Sequence, residues 1–324
     1  MNDETQHHET PAAPDPTQDE GSGPAWRQRG MAWFFTGPHG IRLPWAILIF
    51  MALVGATQIG LVLLLKAQGL HSKDLTSDPD SALGVILGLA PGVVSILVAT
   101  LAMALIERRS LANYGFAFSG MIVRFVYGIL VGVGVLSALV ATLWGLGALT
   151  FDGLALQGDE IWRQGLLWAG ACLMVGVLEE TVMRGFLLAR LSRTMGFIWA
   201  SLLTSALFLA GHIPNAGESL IGLASAGVVA LVFCFSIWKT GSLWWAIGFH
   251  AAWNWAQTYL FGVGNSGSLG TGVLMVSHPQ GETWLSGGAT GPEGSVLAFA
   301  AIAVALLLLL VGPGLPKGIE RSKS

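Results

Sequence analysis

The sequence predicts an all-α fold, a polytopic transmembrane helix bundle of about eight spans. The first observation is the composition: 53% of the 324 residues are hydrophobic and 11% are charged, whereas soluble domains carry about 25% charged residues. The second is the 44 glycines, which suit transmembrane helices because glycine lets them approach closely. The third is a series of long apolar stretches with polar connections. Together they favour a chain that crosses a membrane several times.

Each span is predicted from the thickness of the bilayer. A helix needs about 20 apolar residues to cross the ~30 Å hydrocarbon core. The stretches that qualify are 43–65, 83–106, 125–148, 164–188, 197–213, 220–238, 242–261 and 294–312. The fifth stretch is short and the seventh contains polar residues, so the ends of these two are the least well defined.

The chain divides into four regions by composition. Residues 1–30 are rich in Pro, Asp, Glu, Thr and Gln, and such a segment buries too little apolar surface to order itself, which predicts a disordered cytoplasmic tail. Residues 31–160 contain the N-terminal transmembrane helices. Residues 161–262 contain the helices with the polar motifs described below. Residues 263–324 comprise an outer loop, predicted to be irregular because it is rich in Gly and Ser, then the last transmembrane helix and a short basic tail.

Basic residues in the connections predict the orientation. With the N-terminus inside, the cytoplasmic segments contain Arg27, Arg29, Arg42, Arg108, Arg109, Arg124, Arg190, Arg193, Lys239, Lys317, Arg321 and Lys323, and the opposite loops contain Lys66, Lys73 and Arg163. This asymmetry favours eight spans with both termini in the cytoplasm. The net charge of −3 argues against a nucleic-acid partner. Cys172 and Cys234 lie in apolar runs and are interpreted as packing residues.

A few polar side chains lie at membrane depth. A charged group near the bilayer centre costs ~2.5–3.5 kcal/mol, and such groups are functional candidates. The candidates within spans are Glu179, Glu180, Arg184, His212, His250 and Asn254. We expect them to meet around an intramembrane cavity, since several isolated charges on different helices would be too costly.

Helical spacing predicts which of these side chains share a face. Glu180 and Arg184 are four residues apart and can form an ion pair. Glu179 is rotated by ~100° from Glu180 around the helix, so it can face a cavity while Glu180 binds the arginine. Two further pairs have the same four-residue spacing, Phe208 with His212 and His250 with Asn254.

These residue types suit hydrolysis. A buried glutamate can act as general base toward water, and a histidine can share that water. A second histidine and an asparagine can donate hydrogen bonds to a developing oxyanion. Glu179, His212 and His250 also form a plausible open, catalytic set of ligands for a divalent metal such as zinc. The residues alone leave the metal-bound and metal-free alternatives open.

The three motifs, in order, resemble a known family. Residues 179–184 have the pattern EExxxR, residues 208–212 the pattern FxxxH and residues 250–254 the pattern HxxxN. They resemble the CPBP family of intramembrane proteases, which includes the type II CAAX prenyl endopeptidases and bacterial abortive-infection relatives. Residues 161–262 would then be CPBP-like catalytic helices.

The resemblance implies a role for each motif residue and a setting for the protein. Glu179 would activate the water with His212, His250 and Asn254 would form the oxyanion site, and Glu180, Arg184 and Phe208 would support the pocket. The implied activity is an intramembrane endopeptidase with a catalytic cavity. The expected substrate is a peptide or membrane protein that arrives through the lipid bilayer. The expected location is a bacterial inner membrane.

Two other classes of protein compete with the protease interpretation. One is a proton-coupled transporter that uses the carboxylates as a proton relay, which is weakened because the sequence has no repeat symmetry or matched broken helices. The other is a non-catalytic membrane scaffold or immunity protein. Such a protein would be expected to have lost a motif residue, and all of the motif residues are present here.

Overall fold

The computed structural model describes residues 32–38, 40–69 and 78–312, and most of these residues are helical. Eight long helices follow one another along the chain. They are α1 (Leu43–Ala67), α2 (Ala82–Ile106), α3 (Met121–Gly145), α4 (Asp159–Met195), α5 (Phe197–His212), α6 (Leu220–Thr240), α7 (Trp244–Trp255, continued by a π-helical turn over Ala256–Leu260) and α8 (Leu297–Val311). Each corresponds to one predicted stretch. The predicted tails, 1–30 and the basic segment after 312, lie outside the described residues.

The helix lengths support a multi-pass membrane protein. Five helices, α1, α2, α3, α4 and α6, are long and apolar enough to cross a membrane. Helices α5 and α8 are apolar but have only 16 and 15 residues, and α7 has 12 α-helical residues followed by a five-residue π-helical turn. At ~1.5 Å per residue, all three are shorter than the ~30 Å core. The predicted count of eight spans therefore stays a prediction.

Helix α4 contains the main irregularity among the long helices. It runs as α-helix from Asp159 to Glu180, as π-helix over Thr181–Leu187, and as α-helix again over Leu188–Met195. π-Helical turns are rare and occur frequently at functional sites. Here the π-helical turn begins directly after the two glutamates of the first motif and contains its arginine.

The purely helical prediction is incomplete, because the described residues include two small antiparallel sheets. The larger one pairs Leu149–Leu154 with Met275–Pro279, and its register shifts between Phe151 and Gly153. The segment after α7, predicted to be irregular, thus contains a strand, and short helical turns follow over Thr283–Ser286, Gly288–Thr290 and Pro292–Gly294. The strand was missed because its hydrogen bonds come from a segment more than a hundred residues earlier, which leaves little local signal.

Glycines let α3 and α7 approach closely. A Cβ atom on Gly128 would lie 2.3 Å from the carbonyl oxygen of Trp245, and one on Gly132 would lie 2.5 Å from that of Phe249. On the facing helix, a Cβ on Gly248 would lie 2.3 Å from the carbonyl oxygen of Phe125. The GxxxG spacing of Gly128 and Gly132 therefore serves helix packing, and it fixes the helix that contains the HxxxN motif.

We expect Gly132→Ala to lower stability, because the added methyl group meets backbone that cannot move aside without displacing α7. Overpacking of this kind costs ~1–3 kcal/mol. The measurement is the thermal unfolding temperature in detergent. Gly134→Ala is the matched control, since nothing lies within 4 Å of its added Cβ. An unfolding temperature equal in both variants would contradict the close approach of the two helices.

Candidate active site

A cavity of about 550 Å³ lies between the helices that contain the three motifs. Its wall includes side chains from α2, α4, α5, α6, α7 and α8 and from the segment between α7 and α8. Five predicted site residues line it: Glu179, Phe208, His212, His250 and Asn254. The tertiary structure thus brings motifs from three helices to one space.

Glu179 is the carboxylate that faces this cavity. It occupies the penultimate position of the first α-helical part of α4. Its side chain is 31% exposed, while its Oε2 atom is buried and has no hydrogen-bond partner among the described residues. A buried carboxylate oxygen without a partner is costly, and Oε2 lies toward the His250 ring. The exposed part of the side chain lines the cavity, so the carboxylate can be reached there by water or substrate.

Glu180 links two helices from a fully buried position. Its Oε1 atom accepts a hydrogen bond from Nη1 of Arg184 at 3.1 Å, which confirms the predicted pair. The same oxygen lies 3.0 Å from Nδ1 of His250 on α7. Because an ionised carboxylate only accepts, Nδ1 is the donor in that contact. Glu180 therefore orients both the arginine and the imidazole.

His250 lies between the two glutamates. Its Nδ1 atom contacts Glu180, and its Nε2 atom lies 3.8 Å from Oε2 of Glu179. The ring is also stacked on Phe233, with centroids 5.6 Å apart. Asn254 lines the cavity one helical turn further along α7. The resemblance paired Glu179 with His212 for activation of the water, whereas the sequence grouped Glu179 with His250 only as candidate ligands of a metal.

His212 is held by its own helix at the end of α5. Its Nδ1 atom lies 2.8 Å from the carbonyl oxygen of Phe208, and since a carbonyl only accepts, Nδ1 donates and Nε2 is left for the cavity. The Phe208 ring lies 4.7 Å from the His212 ring and 6.2 Å from the His250 ring, centroid to centroid. Phe208 therefore contacts both imidazoles, as expected of a pocket wall.

Arg184 is buried among aromatic rings. Its guanidinium carbon lies 4.5 Å from the centroid of Phe208 and 5.2 Å from that of Phe233. Its Nε and Nη2 atoms have no hydrogen-bond partner among the described residues. Cation–π contacts of this kind contribute ~0.5–2 kcal/mol, so the rings partly replace the missing hydrogen bonds.

The donor types would suit a divalent ion, but their spacing does not. Each histidine has one nitrogen fixed by an oxygen acceptor, as is usual for metal-ligating histidines. However, the part of the chain that the structure describes contains no group of three His, Cys, Asp or Glu side chains close enough to hold an ion. The arrangement therefore supports no step that passes through a metal.

Two carboxylates in the cavity wall were missed from the sequence. Asp80 and Glu293 both line it, although each lies outside the apolar stretches that were searched for intramembrane charges. The sequence feature that could have identified Glu293 is its rarity, since it is one of only two acidic residues in the long Gly- and Ser-rich connection between α7 and α8. Its position inside the cavity depends on the folding of that connection.

Comparison with known proteins gives a family match over the helices that contain the three motifs. Residues 161–256 match the family model described as type II CAAX prenyl endopeptidase Rce1-like, and this range contains all three motifs. The curated proteins and the solved structures gave no significant match. The match confirms the resemblance read from the motifs and supports a CAAX-protease-like intramembrane protease. Residues 161–256, which contain the two glutamates, both cavity histidines and the asparagine, are therefore similar to the Rce1-like type II CAAX prenyl endopeptidases.

Proposed function

We propose that this protein is an intramembrane endopeptidase in which Glu179 activates the water that hydrolyses a peptide bond. The observation that carries the proposal is the environment of Glu179. Its side chain lines a cavity of about 550 Å³ and is 31% exposed. Its Oε2 atom has no hydrogen-bond partner within the part of the chain that the structure describes, and a histidine nitrogen lies 3.8 Å from that oxygen. A carboxylate in that position can bind one water and remove its proton.

The proposed reaction uses two groups of residues. Glu179, with His212 as its partner, takes a proton from water while the water oxygen attacks the carbonyl carbon, and the carbonyl electrons move onto the oxygen. The C–N bond then breaks as Glu179 returns the proton to the leaving amine. His250 and Asn254, one turn apart on α7, donate hydrogen bonds to the oxyanion.

The surroundings of His250 support its part in this reaction. For Nε2 to donate while Nδ1 donates to Glu180, the ring must carry both protons. Two carboxylates, with oxygens 3.0 and 3.8 Å from the ring nitrogens, stabilise that charged form. Glu180 and Arg184 would act as positioning residues because they hold His250 and Phe208 rather than the substrate.

Binding of zinc by Glu179, His212 and His250 is retained as a second proposal for the same site, and it requires these side chains to move together around the ion. Metal analysis of active protein tests it. Full activity in metal-free protein would reject zinc, whereas loss of activity on chelation and recovery with zinc would support it.

The substrate and setting are proposed from the cavity and from the apolar helices around it. We propose a peptide or membrane-protein substrate that reaches the site from the bilayer, with lipid around the helices. We also propose a bacterial inner membrane location, because the motifs resemble a family with bacterial members. We propose that both termini are cytoplasmic because of the asymmetry of the basic residues. A role in abortive infection or in removal of a prenylated tail would follow only from a substrate of that class.

The direct test uses the purified full chain in detergent or vesicles with a proteome-derived peptide library, with cleavage sites read by mass spectrometry. We expect new peptide termini with the wild-type protein and none with His212→Ala. A library unchanged by wild-type protein would favour the scaffold or transporter alternatives. Proton flux across vesicles would separate these two, since only a transporter carries protons.

A further inference from the structure

The connection between α7 and α8 forms one end of the cavity wall. We call residues 262–296 the roof segment. Its cavity-lining members are Asn265, Ser266, Ser268, Leu269, Gly270 and Glu293. Most of these are polar, in contrast to the aromatic side chains around the histidines. The cavity therefore has a second, polar region that is formed largely by this segment.

Hydrogen bonds to the helices hold the roof segment in place. The backbone N–H of Thr271 donates to the carbonyl oxygen of Asp80 at 3.0 Å, and Trp168 Nε1 donates to the carbonyl oxygen of Thr271 at 3.2 Å. Gln257 Nε2 donates to the carbonyl oxygen of Gly264 at 2.6 Å. These contacts reach α4, α7 and the residues just before α2, so the roof segment is a packed part of the site.

Glu293 is the charged residue of this polar region. Its Oε1 atom accepts two hydrogen bonds from Ser266. One comes from the backbone N–H and the other, at 2.9 Å, from the Oγ atom of Ser266. The backbone carbonyl of Glu293 accepts from Ser225 Oγ at 2.8 Å. Burial raises the pKa of the Glu293 carboxyl, and the hydrogen bonds from Ser266 oppose that change. The Ser266 hydrogen bonds thus fix the carboxyl in position, and an electrostatic interaction with His212 also opposes the increase in its pKa.

Carboxylates outnumber the groups that can carry positive charge in the cavity wall. Asp80, Glu179 and Glu293 line it together with the imidazoles of His212 and His250, and no Lys or Arg does so among residues 32–38, 40–69 and 78–312. The buried arginine of α4 is engaged by Glu180. Charges interact more strongly in a cavity of low dielectric constant than in water. A positively charged ligand group is therefore favoured in this space, and a carboxylate is disfavoured.

We propose that Glu293 is a specificity-determining residue that binds the positively charged side chain, ammonium or guanidinium, of a basic residue in the peptide substrate. This inference rests on the proposed proteolysis, because it names a substrate class for that same cavity. It also predicts that a free C-terminal carboxylate binds poorly in the polar region. Cleavage would accordingly occur within a chain, near a lysine or arginine.

The test compares two sets of fluorogenic peptides that differ at one position. In each pair of peptides, one has a lysine and the other an uncharged norleucine at the same position. This position is moved along the peptide from one pair to the next. We expect kcat/KM to favour lysine at one position by roughly tenfold or more, as a hydrogen bond to a charged group is worth ~1.5–3 kcal/mol. Arginine in place of lysine separates guanidinium from ammonium binding.

Glu293→Gln is expected to abolish most of that preference, since the amide has similar size and no charge. Glu282→Gln is the matched control because Glu282 belongs to the same segment but is exposed and does not line the cavity. The control should retain the wild-type ratio. A wild-type protein without preference for lysine at any position, or a preference unchanged in Glu293→Gln, would overturn the inference.

Binding measurements separate this inference from the proposed activity. If wild-type protein cleaves none of the peptides, the proteolysis proposal fails, while fluorescence anisotropy with the same labelled peptides still tests the charged subsite. Tighter binding of the lysine peptide, weakened by Glu293→Gln and not by Glu282→Gln, would support Glu293 as a cation-binding residue. Equal binding of both peptides would reject it. Size-exclusion profiles check that each variant remains folded.

Discussion

Replacement of Glu179 by glutamine is expected to abolish peptide hydrolysis while leaving the helix bundle intact. The amide keeps the size and the cavity position of the side chain but cannot take a proton from water. General base catalysis contributes ~10²–10⁴-fold, so kcat should fall by at least this range. The measurement is the rate of peptide cleavage in detergent, with the unfolding temperature as a check on the fold.

Glu160→Gln provides the matched control for this variant. Glu160 is in the first turn of the same helix, and its side chain is 50% exposed and paired with Arg163 at 3.0 Å. Its replacement should leave the rate of cleavage unchanged. Substantial hydrolysis by Glu179→Gln would sink the assignment of Glu179 as the base. Equal loss in both variants would point to a general disturbance of α4.

Arg184→Met is expected to cause the largest loss of stability among the site variants. The arginine is fully buried, and it pairs with Glu180. Removal of one partner from a buried ion pair costs ~3–5 kcal/mol, and Glu180 would retain only its contact with His250. The unfolding temperature in detergent should fall clearly. The rate of cleavage should fall as well, because Glu180 also orients His250.

Arg163→Met tests whether burial is the cause. The exposed Arg163–Glu160 pair has nearly the same length, 3.0 Å against 3.1 Å for the buried pair, and exposed pairs contribute ~1 kcal/mol or less. Stability should therefore change little. The double variant Glu180→Met/Arg184→Met should be less destabilised than the sum of its single variants, because neither Glu180 nor Arg184 is then left without the other. Equal loss of stability in Arg163→Met and Arg184→Met would contradict this interpretation.

Local features of the fold were predicted well from the sequence. Each of the eight apolar stretches corresponds to a long helix, because apolar length and helical geometry are properties of a single segment. The Glu180–Arg184 pair was also predicted, since residues four apart on one helix are neighbours. The number of membrane-spanning helices was harder to predict from the sequence, because α5 and α8 are shorter than the bilayer core.

Features that depend on contacts between distant segments of the chain were not predicted from the sequence. The strand Met275–Pro279 forms only because Leu149–Leu154 lies beside it. The π-helical turn over Thr181–Leu187 was not predicted either, and we identified no sequence signal for it.

The sequence by itself determined that this is a helical membrane protein with three polar motifs on successive helices, and it identified Glu179 as the carboxylate free to face a cavity. Only the tertiary structure placed His250 between Glu179 and Glu180, and only the tertiary structure brought Glu293 to the same cavity. The physical reason is that the spacing of residues along the sequence determines on which face of a helix each of them lies. The neighbour across that face depends on how glycines such as Gly128 and Gly132 let whole helices approach.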